Sequence, residues 1–554
     1  MKRLLSILFA AIPMLAMAQG VTDVKLEAAG ELSKHIGDSV KFKITELKIS
    51  GPMNGTDIKL LQQIVNRTKA KEKEGETIVT SVDLSGAVIT EGKDGMKTKE
   101  NELPAGLFSG AKMLKKVVLP TGTTLIGKDC FLNCASLNGI TLPETVTELG
   151  NGAFENCTSL SAITLPASLR AMGNNVFEGC KTLTSITIPA DIRALPNDAF
   201  KDCEVLSTVN LPEGLNAIGS EAFQNCKSLT SITLPDGTFE LGNSVFSKCT
   251  ALSNIKMTGV EKIGMQCFED CKSLSEVTLE RLGKLGTGAF RNCTSLTTIN
   301  IQGALDDINP YTFSGCSSLA SIKLPDGVKI IGNHAFTGCK SLSAITIPDA
   351  VQKINDAAFM ECTSLREITL PQMLKDLGDK AFQGCSSLEN VAIKGFIDEI
   401  ETNVFQNCKS LKKIELPSSV KRIGDNAFKG CAMLSDINLP VVLKTIENAA
   451  FENCSSLESL VLPVGVEDLG GDAFKDCLRL TTIELSVSMK KIGGSAFQNC
   501  KSLREVILNS PAPPKVSRDS FKGAHPAFVI PKGSMSIYIA DKTWSKFTGF
   551  REKN

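Results

Sequence analysis

Apolar and polar positions follow one unit that recurs through most of the chain. In the unit beginning at Cys316, Leu319, Ile322 and Leu324 form an L-x-x-I-x-L run that Pro325 ends. Val328 and Ile331 follow, then Gly332, which is read as permitting a tight turn, and Ala335-Phe336 leads to Cys339. The alternation across Ile322-Lys323-Leu324 predicts a strand buried on one face. The Ala-Phe-x-x-Cys segment is too short for more than one helical turn. Phe-x-x-Cys occurs 17 times, from Phe131/Cys134 to Phe497/Cys500, spaced by 23 residues except for two 22-residue steps, Cys249 to Cys271 and Cys271 to Cys293. An earlier copy at Phe108 has Ala111 in the Cys slot. A fixed period of this length predicts a solenoid, and each coil must cover its neighbour because one unit cannot bury enough apolar surface alone.

Units such as Cys339-Lys-Ser-Leu-Ser-Ala-Ile-Thr-Ile-Pro and Ile331-Gly-Asn-His-Ala-Phe-Thr-Gly-Cys resemble the BspA-like class of leucine-rich repeats, over roughly residues 104–508. The resemblance implies an α/β solenoid: a right-handed leucine-rich-repeat superhelix of 18 repeats with one long parallel β-sheet, capped at both ends. About 20 strands at ~4.8 Å would extend ~95 Å. The Pro after the strand is replaced by Thr258, Glu280, Gln302, Lys394, Ser486 and Asn509. The first three fall in or beside the 22-residue steps, where the coil is expected to bend or twist differently.

The flanks depart from the unit. Residues 1–18 read as a secretory leader: Lys2 and Arg3, an apolar stretch from Leu4 to Leu15, and Ala16-Met17-Ala18 as cleavage site. Residues 19–103 read as an N-terminal cap. Its repeat-like strands are Ile44-x-x-Leu47-x-Ile49 and Val79-x-x-Val82-x-Leu84, with a helix starting at Asn54-Gly55-Thr56-Asp57 between them. Residues 509–554 read as a C-terminal cap, with Phe521-Lys-Gly-Ala a degraded unit and Phe528-Val-Ile-Pro531 a last strand. The single Trp, Trp544, is read as part of that cap in preference to a sugar-stacking platform.

Charge and composition narrow the chemistry. Lys plus Arg and Asp plus Glu are 60 each, so general phosphate-backbone binding is disfavoured and no nucleic-acid partner is expected. Three His leave little room for His-based catalysis or a His metal site. No nucleophile elbow, phosphate loop or zinc-protease motif appears, so no catalytic residue, cofactor or metal is expected. The 19 Cys would suggest disulfides in an exported chain. Seventeen at one slot per coil read instead as a ladder of buried free thiols whose parallel side chains suit a disulfide poorly. Cys130 and Cys267 fill the Ala slot and pack inside too.

Outward positions flanking the strand Ile form the candidate binding face. From Gly139/Thr141 to Ser231/Thr233 it carries neither charge nor aromatic. Charge then enters: Lys256, Glu276, Lys323, Arg366, Glu367, Lys412, Lys413, Glu415 and Asp436. The resemblance points to adherence to host or bacterial surfaces. The expected function is therefore an exported, non-enzymatic scaffold for protein recognition or adhesion at the bacterial cell surface. The alternative is an extracellular or periplasmic glycan-binding module. Hydropathy predicts no transmembrane segment beyond the leader, and the sequence leaves the oligomeric state open.

Overall fold

The computed structural model describes residues 20–38, 40–67 and 76–553; the leader at 1–18 lies outside them. The chain divides into two compact units, Met1–Leu229 and Thr230–Asn554. Both are parallel β-solenoids with turns of about 23 residues and little helix.

Each coil contributes a strand of two to four residues at the expected L-x-x-I-x-L position, such as Ser321–Lys323 and Ala344–Thr346, paired in register with Ile322 opposite Ile345. Burial alternates exposed, buried, exposed along both strands, as the alternation predicts. Pro ends these strands by removing the next N–H donor. At two of the six positions without Pro the ladder runs on. Gln302 donates its N–H to the Leu279 carbonyl and Lys394 to that of Leu370, and the paired strands there are four residues long.

A second parallel ladder, absent from the sequence reading, runs along the other side of each coil. Its strands are two residues long, for example Ile330–Ile331, Lys353–Ile354 and Asp376–Leu377. Neither ladder is continuous within a unit. In the second unit the first ladder falls into segments starting at Ser231, Glu276, Glu367 and Ser459, so the expected long sheet is realised as successive short sheets. The two missing residues lie in the turns Met257–Val260 and Leu279–Leu282, one residue shorter than Leu324–Val328. Pairing of the first ladder lapses between Asn254–Lys256 and Glu276–Leu279.

The Phe slot fills the core. In the first unit Phe108 to Phe223 stack with ring centroids 5.1–5.6 Å apart. In the second, the stack from Phe246 continues to Phe521. Two residues per coil hold positive φ. One directly precedes Cys and is mostly Asn, Asp or Gly, such as Asn133, Asp202 and Gly315; the other lies two residues before Phe. Gly332 does not have positive φ, which corrects the turn reading. A Cβ there would lie 2.6 Å from the Pro310 nitrogen, so the glycine serves close approach of neighbouring coils.

At the N-terminus, β1 (Val21–Lys25), β2 (Glu46–Met53) and β3 (Ser81–Ile89) pair in parallel and lead into the first repeat strand, Lys116–Val118. β1 was not foreseen. The expected helix is Gly55–Val65, capped by Asn54 and Asp57 in a capping box. Buried Asp57 also accepts from the Gly30 and Leu32 N–H groups, which ties the preceding loop to the helix start. At the other end, Ala527–Ile530 and Phe550–Glu552 add two strands. Trp544 and Tyr538 are fully buried, donating to the carbonyls of Pro514 and Ser510. That agrees with capping and leaves Trp544 no free face for a sugar.

Candidate functional site

All 19 Cys are buried and free. Repeat thiols such as Cys134, Cys226 and Cys339 point along the stack to the Phe carbonyl of the preceding coil. Cys134 meets Phe108 at 3.0 Å in the first unit, and Cys339 meets Phe313 at 3.2 Å in the second. The slot therefore suits a small apolar side chain with one weak donor. Burial pushes the thiols of Cys134, Cys316, Cys385 and Cys500 up to about 12 and those of Cys157 and Cys339 well above the ordinary value. Such thiols are poor nucleophiles and poor metal ligands. Among the described residues no group of three or more His, Cys, Asp or Glu is placed to hold a metal ion.

The strand face is where the sequence placed the binding residues, and all nine are exposed there. The structure brings only some of them together. Glu367, Lys413 and Asp436 share one register row through Asn390, and Glu415 follows two residues after Lys413. Lys413 Nζ lies 3.2 Å from Glu415 and 3.3 Å from Asp436. The hydrogen bond to Glu415, with Asp436 beside it, holds the Lys413 ammonium above its ordinary value. Lys412 reaches Glu389 at 2.6 Å and holds that carboxyl below the usual carboxylate range, with Arg366 adding to the effect. This cluster is nearly neutral and already paired, so it offers a charge pattern more than a net field. Lys256 sits in another segment. Glu276 and Lys323 share a segment, but Glu276 aligns with Ser321 and Lys323 with Thr278, so they do not meet.

A second feature escaped the sequence reading. A cleft of about 780 Å³ lies on the second-ladder side of the second unit, between the coils carrying Asp376–Leu377 and Glu399–Ile400. Its carboxylates are Asp356, Asp376, Asp379, Asp398, Glu399 and Glu401. The available signal was the local run Asp398-Glu399-Ile400-Glu401, with three carboxylates, the last of them where most coils carry Gly.

The sequence model described as the BspA type leucine rich repeat region (6 copies) matches residues 101–229, 194–320, 306–435 and 398–526. A leucine-rich repeat protein from Bacteroides ovatus is 27% identical, covering 75% of this chain and 92% of its own, with a TM-score of 0.43. A leucine rich cell surface protein from Faecalibacterium prausnitzii is 22% identical over 67% of this chain and 87% of its own, TM-score 0.28. The pneumococcal vaccine antigen PcpA is 19% identical over 75% and 88%, TM-score 0.27. No curated relative matches the chain. Among the described residues, no helix is long and apolar enough to cross a membrane.

Proposed function

Because the chain belongs to the BspA-type leucine-rich repeat family, we propose that it is an exported recognition scaffold that binds protein at the bacterial cell surface, without catalysis. The observation that carries this reading is the exposed strand face around Lys413. There, side chains from four coils, Glu367–Leu370 to Asp436–Asn438, stand in register on paired backbone. Adjacent strands fix charged groups ~4.8 Å apart, a spacing suited to reading a complementary pattern on a folded partner. Arg366, Glu367, Lys412, Lys413, Glu415 and Asp436 form the proposed contact, with Lys256, Glu276 and Lys323 as outlying positions. Export rests on the leader at residues 1–18.

The experiment is a binding panel of the chain from Gln19 against extracellular-matrix proteins, bacterial surface proteins and a glycan array. It is run beside an Arg366→Glu, Lys412→Glu, Lys413→Glu variant. Saturable protein binding that the variant weakens supports the proposal. Selective glycan binding without a protein ligand overturns it in favour of carbohydrate capture.

A further inference from the structure

The cleft near Leu377 coincides with a place where the solenoid leaves its own backbone unpaired. In regular coils each second-ladder strand makes two rungs to the coil before it. Asp376 donates its N–H to the Gln352 carbonyl and Gly378 to that of Ile354. One coil later both rungs are missing. Among the described residues, the N–H groups of Glu399 and Glu401 and the carbonyls of Lys375 and Leu377 have no protein partner. Pairing resumes at the next coil, where Gly424 donates to Ile400. The Phe382 and Phe405 rings remain stacked at 5.7 Å, so the opening is a wedge on the second-ladder side only.

The other interruptions within a unit are each partly compensated locally. Between Ala171–Met172 and Ala194–Leu195, Pro196 fills the slot that Glu401 occupies and has no N–H to offer. Between Lys284–Leu285 and Asp307–Ile308, the Asn309 side chain donates to the Leu285 carbonyl. Among the described residues, those interruptions also leave backbone groups without a protein partner, the Ala194 N–H in the first and the Asp307 and Asn309 N–H groups in the second, but the one at Leu377 opens onto the cleft lined by six carboxylates. Exposed edge groups of this kind accept an added strand through main-chain hydrogen bonds.

We propose that this cleft binds an extended peptide segment of a partner protein that carries Lys or Arg side chains, pairing its backbone with the free rungs at Lys375–Leu377 and Glu399–Glu401. Charge selects the basic peptide. The six carboxylates face Lys353 and Lys375 within the cleft. Lys421 and Arg422 reach in from the next coil, to Asp398 and to Glu399 and Glu401. Carboxylates still outnumber cations six to four. Asp356 and Asp379 make no ion pair and accept backbone N–H groups from Asp379 and Thr402, which leaves their charge uncompensated. The site is separate from the strand face and does not depend on what that face binds.

The test is fluorescence anisotropy of labelled acetyl-(Lys-Val)4-amide titrated with the chain from Gln19. Its comparators are the (Glu-Val)4 peptide and a fully N-methylated Lys-Val peptide. Asp376→Asn with Asp398→Asn removes charge from exposed side chains. Glu401→Pro removes one free N–H in a slot where Pro196 shows that proline fits. The expected result is saturable, salt-sensitive binding of the Lys-Val peptide alone. It should weaken about tenfold in each variant at unchanged melting temperature. The Arg366→Glu, Lys412→Glu, Lys413→Glu variant should bind this peptide normally, which separates this proposal from the strand-face reading. Absence of saturable binding, equal binding of the N-methylated peptide, or binding untouched by both cleft variants overturns the proposal.

Discussion

Raising the pH should melt this protein far more steeply than an ordinary one of its size, because its core is lined with thiols. All 19 Cys are buried, and burial pushes those resolved to a value to about 12 or beyond. In the unfolded chain the same thiols ionise near ~8.5. The folded state thus holds protons that the unfolded state releases. Stability is intact below about pH 8.5 and falls as the pH rises toward the folded values. At pH 9.5 each thiol costs about 1.4 kcal/mol relative to pH 7, by 1.36 kcal/mol per unit. With one thiol per coil of 23 residues and an unfolding entropy of about 2.1 cal/mol/K per residue, the melting temperature should fall by roughly 20–30 °C. The assay is thermal melting by far-UV circular dichroism at pH 7.0, 8.5 and 9.5 under a phosphine reductant. Lys and Tyr remain largely protonated over this range. A Cys339→Ala variant should show a slope shallower by about one proton. A melting temperature that moves by less than about 5 °C between pH 7.0 and 9.5 would refute the buried-thiol ladder.

Other substitutions probe single parts of the coil. Gly332→Ala places a Cβ against the Pro310 backbone and should cost about 1–3 kcal/mol in urea titrations. Glu361→Gly relieves a left-handed residue at φ 58° and should stabilise by about 0.5–1 kcal/mol by the same measurement. Asp57→Ala strands the N–H groups of Gly30, Leu32 and Asn54 and should cost about 2–4 kcal/mol, with hydrogen exchange rising around residues 26–36.

Much of the coil was legible because its slots repeat. Phe and Cys mark the core, the apolar alternation marks the strand, and Pro marks its end. The caps showed as breaks in that period, with Asn54 and Asp57 announcing the helix. What was hidden lacks a residue signature. A two-residue strand such as Lys353–Ile354 carries no alternation to read. The left-handed position before Phe is held by residues as different as Glu221, Lys380 and Ala357, so composition does not mark it. Gly332 looked like a turn glycine because its real constraint, the neighbouring coil, is 22 residues away in the chain. The charged face was read residue by residue, but only the register shows that Lys413 meets Asp436 while Glu276 misses Lys323. The cleft depends on two hydrogen bonds that fail to form, and no residue type records their loss.

The most direct test of surface recognition is adherence of beads coated with the chain from Gln19 to intact bacterial and epithelial cells, with the target cells treated by protease or by periodate. The account predicts adherence that protease abolishes, periodate spares, and the Arg366→Glu, Lys412→Glu, Lys413→Glu variant reduces. Adherence lost to periodate but not to protease, or equal adherence by the variant, would contradict it.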